Sequence, residues 1–299
     1  MLELAEVFTF AETLEAGLEG VAAMARRAEA RIRHHYRVER ELADRLRRAP
    51  AGERLALYRQ VYDELFRRVP DHPQLVARAD PAAFERRCRS VQWHLALLRP
   101  ALGPRTVFME IGAGDCALAL RVAQQVARVY AVEVSREVAG RAAAPNLELV
   151  VSDGVSLPVP EGSVDVAFSD QLMEHLHPED AAAQLAGIHR SLAPGGRYFC
   201  ITPNRLYGPR DVSAHFDETA TGLHLKEYCA RELRALLLRT GFREVRFYSG
   251  ARGVYARMPF ALLRAAESFL GLLPYRLRRR LAGLAPARAL LGLYVEALK

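Results

Sequence analysis

The sequence predicts an α/β protein in which a mostly parallel β-sheet is covered by helices on both faces and preceded by a helical extension. Residues 1–100 carry apolar side chains at helical spacing without a β-rich run. From residue 105 onward, short apolar runs alternate with helical stretches, as in strands joined by crossover helices. Hydrophobic residues make up 51% of the 299 positions and charged residues 26%, so the chain can bury a sizeable core.

The first hundred residues form a region of their own in this interpretation. Asp80 followed by Pro81 is typical of a helix start with proline at the first position. The helix predicted over Ala82–Leu98 runs into two prolines and a glycine within 100–104, which indicates a boundary. We expect residues 1–100 to form a cap over the functional pocket or an oligomer contact, such as a homodimer interface. Residues 101–299 are expected to form the main domain.

The alternating region contains seven predicted strands. The first six are Thr106–Ile111, Val129–Val134, Leu147–Val151, Val164–Ser169, Arg197–Thr202 and Val245–Ser249. The helices predicted between them are Cys116–Ala127, Arg136–Ala143, Glu179–Leu192 and Lys226–Thr240. The seventh strand, Ala289–Leu298, is predicted to return to the sheet after a helical insertion over residues 255–288.

The C-terminal region carries the net charge of the protein. Residues 251–299 hold nine basic and two acidic residues, which accounts for the whole formal charge of +7 and leaves residues 1–250 neutral. Because that body has no basic field, we expect no nucleic-acid partner. Two basic amphipathic helices are predicted at Pro259–Leu273 and Tyr275–Leu284. They are typical of a peripheral contact with anionic lipid, or of a hairpin packed on its own domain or on a second subunit.

The N-terminus and the cysteines indicate the compartment. The chain opens with glutamates, where a signal peptide would have a basic start and an apolar run. No stretch approaches the roughly 18 consecutive apolar residues of a membrane-spanning helix. The four cysteines lie far apart, which argues against a structural zinc site and a disulfide framework. We expect a cytoplasmic protein, with peripheral attachment at the inner face of the membrane through the insertion.

A glycine loop, Glu110-Ile-Gly-Ala-Gly114, follows the first predicted strand and opens a helix. Such a loop lets a ligand approach the backbone at the carboxyl ends of the strands. With Ala117, and with Glu133 about twenty residues on, the loop also fits the dinucleotide-binding fingerprint. Glu110 would repel a pyrophosphate but can interact with a cationic ligand. Asp153, after the third strand, can accept a hydrogen bond from an adenine amino group.

Taken in order, these motifs resemble the class I S-adenosylmethionine-dependent methyltransferases, in particular the broad type 11 subset. The motifs that carry the resemblance are the glycine loop, Glu133, Ser152-Asp153-Gly154, Asp165–Asp170, Met173-Glu174-His175-Leu176 and Leu192–Arg197. The resemblance implies a Rossmann-like, seven-stranded sheet and S-adenosylmethionine as the cofactor. The implied cofactor-binding residues are Glu110, Gly112, Ala113 and Gly114 for the methionine part, Glu133 for the ribose hydroxyls, Asp153 and Gly154 for the adenine, and Ser169 and Asp170 beside the ammonium and the transferable methyl.

The resemblance implies methyl transfer, and the histidines indicate the acceptor atom. A hydroxyl acceptor benefits from a general base with a pKa near neutral. His175 follows the fourth strand, and His215 lies in the segment 203–225, which is long enough to be a lid or an acceptor-binding loop. We predict His215 and His175 as catalytic residues of an O-methyltransferase. The expected acceptor is a small molecule, a saccharide or a lipid-linked intermediate.

Two other functions remain open on the sequence. An NAD(P)-dependent oxidoreductase would use the same glycine loop, and a scaffold would bind S-adenosylmethionine without turnover. The ubiquinone-pathway O-methyltransferases resemble the region around Glu174-His175 and are thought to use a metal there. Gln171 stands where they have a carboxylate, so we predict that no metal is used.

Overall fold

The computed structural model describes residues 2–73, 75–76, 80–134, 136–139 and 143–299. The helices described before the sheet include α1 (Leu2–Arg48), α2 (Ala51–Arg68) and α3 (Pro81–Leu98). The predicted start of α3 is confirmed, because the Asp80 side chain accepts a hydrogen bond from the Ala82 amide and Pro81 occupies the first turn. Among the described residues, no helix combines the length and the apolar content needed to cross a bilayer.

A single sheet carries the rest of the chain. Its strands are β1 (Val107–Ile111), β2 (Arg128–Glu133), β3 (Leu147–Val151), β4 (Val164–Asp170), β5 (Leu192–Thr202), β6 (Glu244–Ala251), β7 (Val254–Met258) and β8 (Leu293–Leu298). They lie in the order β3-β2-β1-β4-β5-β8-β6-β7. Neighbours from β3 through β5 pair parallel, whereas β8 runs antiparallel to β5 and β6. The order reverses between β1 and β4, and ligands of such sheets bind at the carboxyl ends beside this switch point.

Helices cover both faces of this sheet, which confirms the predicted Rossmann-like α/β class. The remaining helices are α4 (Ala117–Ala123), α5 (Arg136–Ala139), α6 (Pro178–Ser191), α7 (Ala230–Arg239), α8 (Phe260–Gly271), α9 (Tyr275–Ala282) and α10 (Ala285–Leu291). Successive residues of β1 alternate between two apolar clusters: Phe108 belongs to one and Met109 to the other. The two clusters therefore lie on opposite faces.

The prediction of seven strands was one strand short. Arg252 and Gly253 form a two-residue turn with φ of +54° and +85°, which folds β7 back onto β6 as an antiparallel edge strand. Arg-Gly is not the Asn-Gly or Asp-Gly pair that signals such a turn in a sequence. Between β7 and β8 the insertion holds three helices, not two. The last strand begins at Leu293 because residues 285–291 are helical.

The N-terminal helices share a core with the sheet. Leu42 of α1 and Val61 of α2 belong to the same buried apolar cluster as Met109 of β1. A buried ion pair holds α2 against α6, with 2.7 Å between Arg54 Nε and Asp180 Oδ2. Breaking one partner of such a pair strands a buried charge and costs about 3–5 kcal/mol. The extension is thus fixed over the carboxyl end of the sheet.

Candidate active site

A cavity of about 340 Å³ opens at the carboxyl ends of β1, β2 and β4, beside the switch point. We call it the cofactor cavity. The strands contribute the residues at their ends, and α2 contributes Tyr58 and Tyr62. Four predicted site residues line it: Gly112, Glu133, Gly154 and His175.

The backbone of the glycine loop adopts a conformation that residues with a β-carbon disfavour. The φ angles are +71° at Gly112 and +55° at Gly114, in the left-handed region. The amides of Gly112 and Ala113 donate to the Val132 carbonyl at 2.9 and 3.1 Å, and the Gly114 amide donates to Glu133 Oε2 at 2.8 Å. A β-carbon added at Gly114 would meet no heavy atom within 4 Å. The loop is therefore held firmly while leaving open space beside its backbone, as a ligand requires.

Glu110 is a buried carboxylate at the end of β1, two residues before the cavity-lining Gly112. Its Oε2 has no hydrogen-bond partner within the described part of the chain. Burial raises the pKa of Glu110 well above its usual range, and the charges of Asp170 and Glu133 raise it further. An unpartnered buried oxygen is costly unless a ligand satisfies it. Glu110 itself is not among the residues that line the cavity. A positively charged ligand that reached it would stabilise the ionised carboxylate, whereas a pyrophosphate would not.

A second cavity, of about 460 Å³, adjoins the first. Tyr62, Gln171 and His175 line both, so these three side chains form the boundary between them. We call it the histidine cavity because five histidines line it: His35, His72, His175, His215 and His224. The N-terminal helices contribute one part of its lining and the segment 203–225 another.

Residues 109–200 match a family described as a methyltransferase domain. A "Probable S-adenosylmethionine-dependent methyltransferase" of Mycolicibacterium smegmatis is 32% identical over 136 residues, which cover 45% of this chain and 51% of the relative. One of Mycobacterium tuberculosis is 31% identical over 150 residues, covering 50% of this chain and 52% of the relative. A crystal structure of an S-adenosylmethionine-dependent methyltransferase from Mesorhizobium loti gives a TM-score of 0.47 at 16% identity, covering 70% of this chain and 98% of that one.

Residues 109–200 are a methyltransferase domain of the type that this family model describes. The names of these relatives describe them as S-adenosylmethionine-dependent. The chain spans about half the length of these curated relatives.

In the methyltransferase domain, Gln184 of α6 is a site residue that the sequence motifs missed. It is buried and lines the cofactor cavity. Its Nε2 donates to the Gly154 carbonyl at 2.7 Å, and its Oε1 has no partner among the described residues. An unpartnered acceptor beside Gly154 suits a donor such as the adenine amino group. The sequence did contain one indication: Gln184 is a polar residue on the same helix face as the apolar Ala181 and Ile188.

Two predicted cofactor-binding side chains point elsewhere in the methyltransferase domain. Asp153 accepts hydrogen bonds from the amides of Val155 and Ser156 at 2.8 and 2.6 Å, so its carboxylate stabilises its own loop and does not line the cavity. The Ser169 hydroxyl lies 2.7 Å from the Tyr198 hydroxyl in the interior. It is fully buried there and is not among the residues that line the cofactor cavity.

Asp170, the last residue of β4, is paired with the N-terminal extension. Its Oδ2 lies 3.2 Å from Nε2 of His94 on α3. Burial raises the pKa of Asp170, and the charge of His94 opposes that rise. His94 is the partner that sequence reasoning treated as an ordinary helical residue, because nothing in the motif order connects α3 to β4. The residues lining the cofactor cavity do not include Asp170, and they do not include Glu110, Ala113 or Gly114.

His175 is a neutral imidazole at the boundary between the two cavities. Its Nδ1 lies 3.1 Å from the Leu223 carbonyl, which can only accept, so Nδ1 carries the proton and Nε2 the lone pair. Burial lowers the pKa of His175 to about 3, and the neighbouring His224 lowers it further. The Tyr62 hydroxyl, 3.0 Å from the same Nδ1, holds the ring from the side of α2.

Two ionisable side chains next to His175 have raised pKa values. Burial raises the pKa of Glu174 to about 7, and its Oε2 accepts from the Thr202 hydroxyl at 2.9 Å. Burial lowers the pKa of His224, but the 2.7 Å hydrogen bond to Glu227 and the negative charges of Glu174, Glu227 and Asp211 together outweigh burial, so the net shift is upward. A carboxyl group whose pKa lies near 7, next to a neutral imidazole, can take up and release a proton at physiological pH.

Two side-chain groups within the described residues have the composition of a metal site. Their potential ligand atoms lie within 4.8 Å of one another in each group: Glu174 with His175 and His224, and His35 with Glu39 and His72. In the first group Glu174 Oε1 has no described partner, and each histidine already holds an oxygen through Nδ1, which leaves Nε2 for a metal. These residues fit a divalent cation. Our expectation that no metal is used stays a prediction.

Proposed function

We propose that this chain is an S-adenosylmethionine-dependent O-methyltransferase whose acceptor hydroxyl enters the histidine cavity. The observation that carries the proposal is the shared boundary of the two cavities at Tyr62, Gln171 and His175. A hydroxyl at this boundary would lie next to the cofactor cavity, which is the placement that in-line methyl transfer demands. The acceptor is a small molecule, a saccharide or a lipid-linked intermediate.

The residues of the cofactor cavity bind and orient. When bound, S-adenosylmethionine supplies a methyl group on a positively charged sulfur. Near the cavity-lining Gly112, the unpartnered oxygen of Glu110 would stabilise that charge once the carboxyl is ionised. Glu133 binds the ribose hydroxyls and also accepts the hydrogen bond of the Gly114 amide. Gly154 and Gln184 serve the adenine. Fixing both reactants in a closed geometry is the largest contribution that such a site makes.

The cluster around His175 handles the acceptor proton. The Nε2 lone pair of the neutral His175 accepts a hydrogen bond from the hydroxyl and orients its oxygen. A base with a pKa of about 3 does not retain a proton at pH 7, so the proton leaves through Glu174, whose pKa of about 7 matches the working pH. His215, exposed on the turn Val212–His215, lines the same cavity and is the second base candidate.

The exposed side of the insertion supports peripheral membrane contact in this proposal. Its exposed apolar side chains are Leu262, Phe269, Leu272, Leu277 and Leu284. Exposed arginines of α9 lie beside them. Apolar residues flanked by arginines are typical of helices that lie on anionic lipid. Packing against a second copy of the chain would cover the same residues.

A labelled methyl donor tests the proposed function. Incubation with hydroxylated small molecules, saccharides and lipid-linked compounds should transfer label, and calorimetry should show binding of S-adenosylmethionine and not of NAD. His175→Asn should lower kcat by about 10²-fold or more, the usual contribution of a general base or its relay. His189→Asn is the matched control, because His189 packs against Phe242 outside both cavities. Full turnover by both His175→Asn and His215→Ala would refute the proposed proton transfer.

A further inference from the structure

A third cavity, of about 740 Å³, lies between the carboxyl end of β5, the β6–β7 turn and α10. We call it the arginine cavity after the three arginines that line it: Arg210, Arg252 and Arg288. Two tyrosines and a threonine accompany them, and no aspartate or glutamate is among its lining residues. The cavity therefore has three positive charges and no compensating carboxylate in its lining.

These three guanidinium groups are unpaired. Within the described part of the chain none of them forms an ion pair or a side-chain hydrogen bond. All three arginines are exposed. Arg205, in the same segment as Arg210, instead donates to Glu232 Oε1 at 2.8 Å. Guanidinium groups gathered in a cleft without partners are suited to an anionic ligand, which they bind through paired hydrogen bonds.

Arg252 is held in the left-handed region, with φ of +54°. The position is the first of the two turn residues between β6 and β7, where glycine, asparagine or aspartate relieves the strain. A long side chain at this position costs about 1 kcal/mol or more in backbone energy. Arg252 lines the arginine cavity, so a role in ligand binding would explain why an arginine occupies this strained position.

The arginine cavity is continuous with the proposed acceptor site. Arg210 lines both the arginine cavity and the histidine cavity. Gln171, another non-glycine residue with positive φ (+50°), lines all three cavities. An acceptor whose hydroxyl meets His175 can therefore extend past Gln171 toward the three arginines.

We propose that the arginine cavity binds a phosphate or diphosphate group of the methyl acceptor. This inference rests on the proposed function, because it names the chemical class of the molecule in the histidine cavity. A diphosphate matches three guanidinium groups in charge better than a single carboxylate does. The acceptor is accordingly a phosphorylated molecule with a free hydroxyl several bonds from the phosphorus.

Calorimetric titration with inorganic pyrophosphate at about 0.15 M salt tests the inference. The wild-type protein should bind one equivalent saturably, and Arg210→Gln and Arg288→Gln should each weaken binding tenfold or more. Arg276→Gln removes the same charge from α9 at an exposed position outside the cavity and should change the affinity less than twofold. Absence of saturable binding, or equal weakening by the control, would overturn the proposal.

Arg252→Gly keeps the test independent of folding. The substitution relieves the positive φ, so the melting temperature should stay or rise while pyrophosphate binding weakens tenfold. Every variant should bind S-adenosylmethionine as tightly as the wild-type protein does. If the wild-type protein does not bind S-adenosylmethionine at all, the proposed function is refuted, whereas the result with pyrophosphate still stands. Competition by vesicles containing phosphatidic acid assigns the phosphate to a lipid-linked acceptor, and competition by glycerol 3-phosphate alone assigns it to a soluble one.

Discussion

Gly114→Ala separates the ligand-binding role of the glycine loop from its structural role. Gly114 has a φ of +55°, and an added β-carbon would meet no heavy atom within 4 Å. The only structural cost is the left-handed backbone, about 1 kcal/mol. Reduced chain entropy in the unfolded state offsets this by about 0.4–1 kcal/mol. The net free energy of unfolding should thus fall by less than about 1 kcal/mol, or roughly 2 °C in melting temperature.

Binding of S-adenosylmethionine should respond much more strongly. The space beside Gly114 is open in the protein alone, and in the proposed complex the methionine part of the cofactor fills it. A methyl group forced into an occupied site costs about 1–3 kcal/mol, which corresponds to about 5- to 150-fold weaker binding. Gly112 is the poorer choice for this experiment, because its β-carbon would also lie 3.3 Å from Leu172 Cδ1.

Gly162→Ala is the matched control for Gly114→Ala. Gly162 has a φ of +65° with no heavy atom within 4 Å of an added β-carbon, and it precedes β4 at the opposite end of the sheet. Both variants should unfold alike in a thermal melt, and only Gly114→Ala should lose affinity in calorimetry. Wild-type affinity in Gly114→Ala, or equal losses in the two variants, would show that the cofactor does not lie against this loop.

Two further predictions concern pH and membranes. The folded-state pKa of His175 is about 3 and its ordinary value is 6.5, so the unfolded chain takes up the proton first as the pH falls. The wild-type protein should therefore lose about 2 kcal/mol of its free energy of unfolding between pH 6.5 and about 5. In urea titrations, the free energy of unfolding of His175→Asn should depend less on pH. An unchanged profile in that variant would contradict the neutral buried imidazole. Leu272→Asp and Phe269→Asp should abolish sedimentation with anionic vesicles, whereas Val254→Asp, exposed on β7, should not. Wild-type protein that stays in the supernatant would end the membrane proposal.

Local sequence signals sufficed for the central sheet and for the glycine loop. The positions of the strands and helices from β1 through α7 follow from short apolar runs separated by turn residues, and Leu147–Val151 was predicted to the residue. Other bounds shifted: β5 begins at Leu192 and not at Arg197. The loop after β1 was recognisable because positive φ at Gly112 and Gly114 demands glycine. Signals of this kind act between residues close in the chain, so they are visible in the sequence.

The orientation of individual side chains depended on contacts that the sequence does not display. Ser169 and Asp170 are adjacent in a recognisable motif, yet one hydroxyl packs against Tyr198 and the other side chain pairs with His94. Asp153 binds its own loop. The partners are set by the pleat of the strand and by the docking of α3, neither of which leaves a signature at these positions.

The sequence by itself determined the α/β class, the order of the strands along the chain and the cofactor motif, because those depend on local periodicity and backbone geometry. Only the tertiary structure revealed the groupings on which the proposed acceptor site depends. It places Tyr62 of the N-terminal extension against His175, and it gathers Arg210, Arg252 and Arg288 from three separate segments around one cavity. Such groupings arise when distant segments bury their apolar faces against one core, and no spacing rule links residues that meet only through packing.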